Sequence, residues 1–304
     1  MAFTDQEKEA FHKIIQETGG NRETMLQARE IPDWYFAYLN RVERTAVTIP
    51  VPSVGVPVTC YISAAKERTS GCPVHINCHG GGFYLPQNQD DDMYCAHLAA
   101  EIKGIVVDVD YALCPDHSFP VALEQSYEAV KWAFGQCREW DADPDRVSMG
   151  GHSAGGNLTA AVALKANQTK EFKLCLQVLD FAALDLVHFT AGDDPQSRRG
   201  RAFHDMYRGG SDEAALSPYY SPSNAGDEML KELPPALVIT AGQCPFRDLD
   251  AEYGLRMARQ GVEVTLKNFT ESHHGFTMRM LDEWPKAQEL IIRMLQNSRL
   301  APAD

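Results

Sequence analysis

The sequence predicts an α/β fold, a mostly parallel central sheet covered by helices on both faces. Three observations point there. From about residue 46 onward, β-rich runs alternate with helix-patterned stretches. GIVVDVDY is a continuous apolar run bounded by turn signals, the pattern of a strand buried on both faces. RVSMGGHSAGGNLTAAVALKA passes from a strand through a glycine-rich turn into an Ala/Leu helix.

Taken in order, residues 1–45 read as helical and precede the sheet. Their apolar positions are Phe11, Ile14 and Ile15, then Met25 and Leu26, then the aromatic cluster Trp34, Tyr35, Phe36 and Tyr38. From Ala46 come the short β-rich runs TAVTIPVPS, VPVTCYIS and PVHINCH, the last ending in glycines. A helix around Met93–Ile102 leads to GIVVDVDY, and Ala122–Trp140 reads as a second helix, with Leu123, Tyr127, Val130 and Phe134 on one stripe. LCLQVLDFAAL is another β-like run. Asp185–Lys231, rich in Asp, Pro, Ser, Gly and Arg, breaks the rhythm and reads as an insertion of short helices and loops. PALVITAG, LDAEYGLRMARQ, VEVTLKNF and Pro285–Leu300 then supply strand, helix, strand and closing helix.

A chain of 304 residues fits either two average domains or one α/β domain with a small lid, and the segment order favours the second. A hydrophobic fraction of 44% is enough for a substantial core. The formal charge of −14 disfavours attraction to nucleic acid or anionic membranes, and no Lys/Arg run interleaved with aromatics opposes that. Asp5, Glu7 and Glu9 stand where a secretory signal needs a basic start and an apolar stretch. No run of about 18 apolar residues occurs, so a soluble, cytoplasmic protein without a membrane partner is expected. The eight cysteines are scattered, without a Cys-x-x-Cys pair or zinc spacing, and read as reduced core residues with no metal among them.

Three motifs carry chemistry. Gly151-His152-Ser153-Ala154-Gly155 is a G-x-S-x-G pentapeptide between a strand and a helix, where a tight turn lifts the serine hydroxyl above the sheet edge. The following helix points its N-terminus at that spot, so the N–H of Ala154 can donate to a developing oxyanion. His79-Gly80-Gly81-Gly82-Phe83 follows a β-run, and its glycines allow close approach to a substrate, with Gly81 and Gly82 as further oxyanion donors. His79 is read as holding that loop rather than as a base. Ser272-His273-His274-Gly275-Phe276 lies between the last strand and the last helix, where the base of such an architecture falls. Of its two histidines His274 is chosen, because the following glycine permits a sharp bend.

With these motifs the chain resembles the hormone-sensitive-lipase family of esterases, the bacterial family IV carboxylesterases. Asp110-Tyr111-Ala112-Leu113-Cys114-Pro115-Asp116-His117-Ser118-Phe119-Pro120 is similar to that family's D-Y-R-L-A-P-E-H-P-F-P, and Leu233-Pro234-Pro235-Ala236 stands before the penultimate strand. His152 occupies a position where Asp is common in the family. The resemblance implies an α/β-hydrolase domain over 46–304, a helical cap segment over 1–45, a second cap element inserted at about 185–232, and action on short acyl esters without a cofactor.

One position departs from the family. The resemblance would put the triad carboxylate after PALVITAG, in a D-P-L-x-D-E-like stretch, and Gly242-Gln243-Cys244-Pro245-Phe246-Arg247-Asp248 has Cys244 there. A neutral thiol cannot stabilise an imidazolium as a carboxylate does. Asp180, at the end of LCLQVLD, is the preferred replacement, since Leu179-Asp180-Phe181-Ala182 resembles the L-D-P-A of pancreatic-type lipases. Asp248 is a second candidate, with a rival role as a helix N-cap. Cys244 as a thiolate is the third.

The expectation is therefore a serine carboxylesterase with Ser153, His274 and Asp180 as its catalytic residues, acting on a small-molecule ester. Whether it assembles as a homo-oligomer stays open, as does cleavage of amides or lactones by the same groups. The departure at Cys244 also motivates a rival from another class, a ligand-binding protein on a hydrolase scaffold, as in the plant gibberellin receptors that this family resembles. Trp34, Tyr35, Phe36 and Tyr38, and Tyr207, Tyr219 and Tyr220 of the insertion, either wall a pocket or pack the cap against the core.

Overall fold

The computed structural model describes residues 3–18, 33–188, 193 and 195–301; Met25 and Leu26 lie outside them. Helix α1 (Asp5–Glu17) opens with a capping box. The Thr4 hydroxyl accepts from the Glu7 N–H, and the Glu7 carboxylate accepts from the Thr4 N–H. A second helix, α2 (Asp33–Leu39), leads into the sheet.

The described strands form one sheet of eight: β1 (Val42–Ile49), β2 (Val58–Ala65), β3 (Cys72–Cys78), β4 (Ile105–Asp110), β5 (Ala142–His152), β6 (Leu176–Asp180), β7 (Ala236–Ala241) and β8 (Val264–Phe269), in spatial order β1-β2-β4-β3-β5-β6-β7-β8. Pairings β1/β2 and β2/β4 are antiparallel, and every pairing from β4 across to β8 is parallel. Burial explains the runs seen in the sequence. Strands β3, β6 and β7 are buried at every position, whereas the edges β1 and β8 expose Glu43, Arg44 and Lys267.

Helices α3 (Gln89–Ile102), α4 (Val121–Gln136) and α5 (Ala154–Thr169) connect the central strands. The insertion forms α6 (Pro195–Arg208), α7 (Asp212–Leu216) and α8 (Asp227–Leu230), and α9 (Arg247–Arg259), α10 (Phe276–Arg279) and α11 (Trp284–Asn297) complete the chain. Several boundaries differ from the sequence reading, among them the end of α4, at Gln136 rather than Trp140, and the starts of two strands. The first strand begins at Val42 rather than Ala46, because Val42 is buried and pairs with Ala65 at the far end of β2. The fifth begins at Ala142, where an exposed extension reaches back to Cys72.

Every parallel strand that precedes a motif ends at the same edge. Gly80–Gly82 follow β3, Ser153 follows β5, Asp180 closes β6 opposite His152, Cys244 follows β7 and His274 follows β8. Segments far apart in sequence thus meet beyond the carboxyl ends of the strands, where open α/β sheets place their sites.

Candidate active site

Ser153 occupies the turn between β5 and α5 with φ 52° and ψ −114°, a left-handed conformation that a non-glycine residue adopts only when its surroundings enforce it. They do so through both backbone groups. Ser153 N–H donates to the Asp180 carbonyl at 3.1 Å, and its carbonyl accepts from Asn157 and Ala183, each at 3.0 Å. The turn passes so close to β3 that a Cβ at Gly155 would lie 1.9 Å from the Cys78 carbonyl oxygen, so only glycine fits there.

The hydroxyl this turn presents lies 2.9 Å from His274 Nε2. On the other side of the ring, Nδ1 lies 3.0 Å from Cys244 Sγ. With the serine hydroxyl donating to Nε2, Nδ1 carries the ring proton and points it at the sulfur. Burial first, then the charge of Arg279 and the proximity of His152, lower the His274 pKa to about 4. Burial, with Asp250 the next contributor, pushes the Cys244 thiol up to about 12, so the group facing Nδ1 is a neutral thiol.

Here the expectation for Asp180 is corrected. Its Oδ2 bonds His152 Nδ1 at 2.9 Å and its Oδ1 accepts from the Thr277 hydroxyl at 3.2 Å, while the ring nitrogen it was expected to hold faces Cys244. The physical reason is register: Asp180 stands opposite His152 across the β5/β6 pairing, so its carboxylate meets the imidazole one residue before Ser153. Both side chains are buried, and burial raises the Asp180 pKa against the opposing effect of His152. Asp248 is excluded from the site as well, because its carboxylate is exposed and bonds Arg247; the N-cap position of α9 belongs to Phe246.

Gly81, Gly82 and Ala154 line one cavity with Ser153 and His274. The loop carrying the glycines is anchored by His79, whose Nδ1 bonds the Gly80 carbonyl at 2.7 Å and whose ring stacks on Tyr111 at 4.1 Å. Tyr111 in turn donates to the His79 carbonyl at 2.8 Å. Desolvation lowers the His79 pKa to about 4, which suits a neutral loop anchor. Gly82 has φ 63° and meets the ring of Phe203, which a Cβ would approach to 2.3 Å. Ala154 opens α5, so its N–H is among the first-turn donors with no partner inside the helix.

The cavity holds about 360 Å³, the size of a small-ligand site. Its wall opposite the sheet comes from α6, through Arg199, Gly200, Phe203 and His204. None of these four was named by the sequence reading, because nothing in the polar pattern of the insertion shows which of its faces turns inward. None of the aromatic residues that the sequence singled out is among the cavity's lining residues. Trp34 stacks on Trp284 at 5.8 Å, Tyr207 stacks on Phe83 at 3.6 Å, which docks the insertion on the glycine loop, and Tyr220 donates to the His204 carbonyl at 2.9 Å within the insertion. The reading also missed Thr277 and the pairing of His152, although a histidine at a position where the family commonly has Asp was a signal that the local charge pattern had changed.

Among the described residues no group of three or more His, Cys, Asp or Glu side chains is placed to hold a metal ion, and no helix is long and apolar enough to cross a membrane. Residues 75–278 match the family model described as the alpha/beta hydrolase fold. Carboxylesterase NlhH of Mycobacterium tuberculosis is 35% identical over 231 residues, 73% of this chain and 71% of the relative. Among solved structures, the Pyrobaculum calidifontis esterase has a TM-score of 0.76 and 30% identity, covering 90% of this chain and 96% of its own. A thermostable esterase from Pseudomonas putida has a TM-score of 0.81 and 26% identity, with 98% of each chain covered.

Proposed function

The chain belongs to the α/β-hydrolase fold family, in its hormone-sensitive-lipase-like branch, and is a carboxylesterase; on that premise we propose that it cleaves short-chain acyl esters in two steps through an acyl-enzyme on Ser153. The observation that carries the mechanism is the 2.9 Å contact between Ser153 Oγ and His274 Nε2 in the cavity that the glycine loop also lines.

Ser153 Oγ attacks the ester carbonyl while His274 Nε2 takes its proton. The N–H groups of Gly81, Gly82 and Ala154 receive the oxyanion, fixed in place before the reaction begins. His274 then gives its proton to the leaving alcohol, and water, deprotonated by the same nitrogen, releases the acid. Cys244 keeps Nδ1 oriented through the N–H···S contact, without the charge that a carboxylate supplies. Asp180 acts at one remove, holding His152 before the nucleophile and Thr277 just after the base. No step calls for a cofactor. The free, buried state of all eight cysteines supports a reducing compartment, the cytoplasm.

Turnover of a p-nitrophenyl acyl series from acetate to decanoate tests this reading. Wild-type protein is expected to favour the short esters and to release a burst of p-nitrophenol equal to the enzyme concentration wherever deacylation is the slower step. Ser153→Ala is expected to lose at least about 10⁴ of that rate. Undiminished turnover in Ser153→Ala, with the variant folded, would overturn the assignment.

A further inference from the structure

The loop that carries Gly80–Gly82 is bracketed by Asn77, in β3, and Asp91, in the first turn of α3. Both ends lead to one buried acid. Asp108 of β4 stands opposite Asn77 in the β3/β4 register, and its Oδ1 accepts from Asn77 Nδ2 at 2.7 Å. Helix α3 packs across β2 and β4, which brings Asp91 over the same strand, and Asp108 is the charge that acts most strongly on Asp91.

Two carboxyl groups are thus enclosed with few donors. Each residue is 1% exposed. Asp91 Oδ2 accepts from the Asn88 N–H at 3.0 Å, completing the capping box of α3. Its Oδ1, and Oδ2 of Asp108, are buried without a hydrogen-bond partner. The Gln87 amide, which bonds Asp92 at 2.8 Å, leans towards Asp108 as well. Among the described residues no cation pairs with either acid, since Arg44 of β1 bonds Asp92 instead. Asp90, Asp92 and Asp110 add negative charge from α3 and β4. The thiols of Cys60, Cys78 and Cys95 and the phenols of Tyr61, Tyr94 and Tyr111 are kept protonated by burial, so none of them supplies a counter-charge.

Neighbouring carboxylates enclosed without a counter-ion do not both stay ionised at neutral pH. Burial, and for Asp91 next the charge of Asp108, holds both carboxyls above the usual carboxylate range. We infer that Asp91 and Asp108 share one proton at neutral pH, and that this acid–carboxylate bridge positions the oxyanion loop by tying its two ends to β4. Neither residue is among those lining the cavity, so both act through the loop. When the last proton leaves, two carboxylates repel across the ends of the loop, and the N–H groups of Gly81 and Gly82 lose their alignment. The sign follows from linkage: the folded pair binds its proton more tightly than the unfolded chain does, so its contribution is complete at low pH and is lost as pH rises through the folded titration. Ser153 and His274 give no such alkaline limb, because their chemistry needs only a neutral imidazole and levels off above its pKa.

The inference rests on the esterase reading and adds two positioning residues to it. It is tested by following ethyl butyrate hydrolysis in a pH-stat between about pH 6 and 9.5, corrected for hydroxide hydrolysis, well below the unfolding temperature. Return to pH 7 checks reversibility. Wild-type kcat is expected to fall at least about tenfold from pH 7 to the top of the range, part of the 10²–10³ that losing one oxyanion donor typically costs. Asp108→Asn and Asp91→Asn supply amides of the same shape that cannot ionise, with an N–H in place of the shared proton. Each should flatten the limb, bringing the ratio of kcat at high pH to kcat at pH 7 close to one. Because the bridge works in its protonated form, these amides must also fold. Two variants unfolded at pH 7, a level wild-type profile, or a limb unchanged in both variants would each overturn the inference while the esterase reading stands. Absence of wild-type turnover at every pH would instead sink the esterase reading.

Discussion

Two imidazoles belong to the surroundings of Ser153, one on the preceding residue and one in contact with its hydroxyl, and their partners are the reverse of what their positions suggest. His152, inside the sheet and one residue before the nucleophile, holds the carboxylate of Asp180 at 2.9 Å. His274, which contacts Ser153 Oγ, has a neutral thiol on its other nitrogen at 3.0 Å. The first pair lies in the strand register and extends through Asp180 to Thr277, so it ties the nucleophile turn to the loop of the base. The second stands at the tips of two loops, where the proton moves. In a Ser-His-Asp triad one carboxylate both orients the base and stabilises its charged form. Here the carboxylate contacts His152 and Thr277, and on the proposed mechanism the orientation of His274 falls to Cys244.

The widest gap between the two imidazoles should appear in catalysis. His274→Ala is expected to lower kcat on a short acyl ester by about 10⁴ or more, with the unfolding temperature nearly unchanged, leaving the residual rate due to the oxyanion donors and binding. His152→Ala should lose stability first, because it leaves a buried carboxylate with only the Thr277 hydroxyl as side-chain partner. Folded His152→Ala protein as inactive as His274→Ala would erase the distinction between the two.

Asp180→Asn probes the other half of the comparison. Replacing the carboxylate by an amide, which cannot accept from both His152 and Thr277, is expected to destabilise the fold by about 1–3 kcal/mol. Below the unfolding transition the folded protein should keep its kcat within about one order of magnitude, since Asp180 does not touch the base. Urea unfolding followed by fluorescence, alongside kcat measured in the native baseline, separates the effects. A loss of about 10⁴ in kcat at unchanged stability would return Asp180 to the triad.

These experiments bear on a part of the site that the sequence did not disclose. Ser153 and His274 were legible because local patterns locate them: a glycine-flanked serine between strand and helix, and a histidine before glycine between the last strand and the last helix. The parallel sheet was legible from runs such as CPVHINC and ALVITA, whose complete burial leaves no alternation. The partner of Asp180 was not, because it depends on the β5/β6 register, and sequence alone gives no way to count across two strands separated by a helix. Cys244 was placed correctly after its strand, but its contact with Nδ1 follows from how two loops of different lengths meet. Arg199 and Phe203 were hidden for a related reason, since the inward face of α6 is set by docking on α1 and the glycine loop.

The smallest expected effect isolates the thiol. His274 must be neutral to accept the serine proton, and its pKa is lowered to about 4, so kcat/KM should stay level as pH falls from neutrality and decline only as pH approaches about 4. A carboxylate at position 244 would stabilise the imidazolium, which raises that pKa and moves the acid limb to higher pH. Cys244→Asp is therefore expected to shift the limb upward by about one unit or more and to raise kcat at pH 7 about tenfold, while Cys244→Ala changes kcat only a few-fold. The pH profile and the rate must move together, since both report charge placed on Nδ1. A higher limb without a faster enzyme would mean that the new carboxylate reaches the ring yet spoils its orientation. In that case the N–H···S contact, rather than any charge, is what makes His274 an effective base.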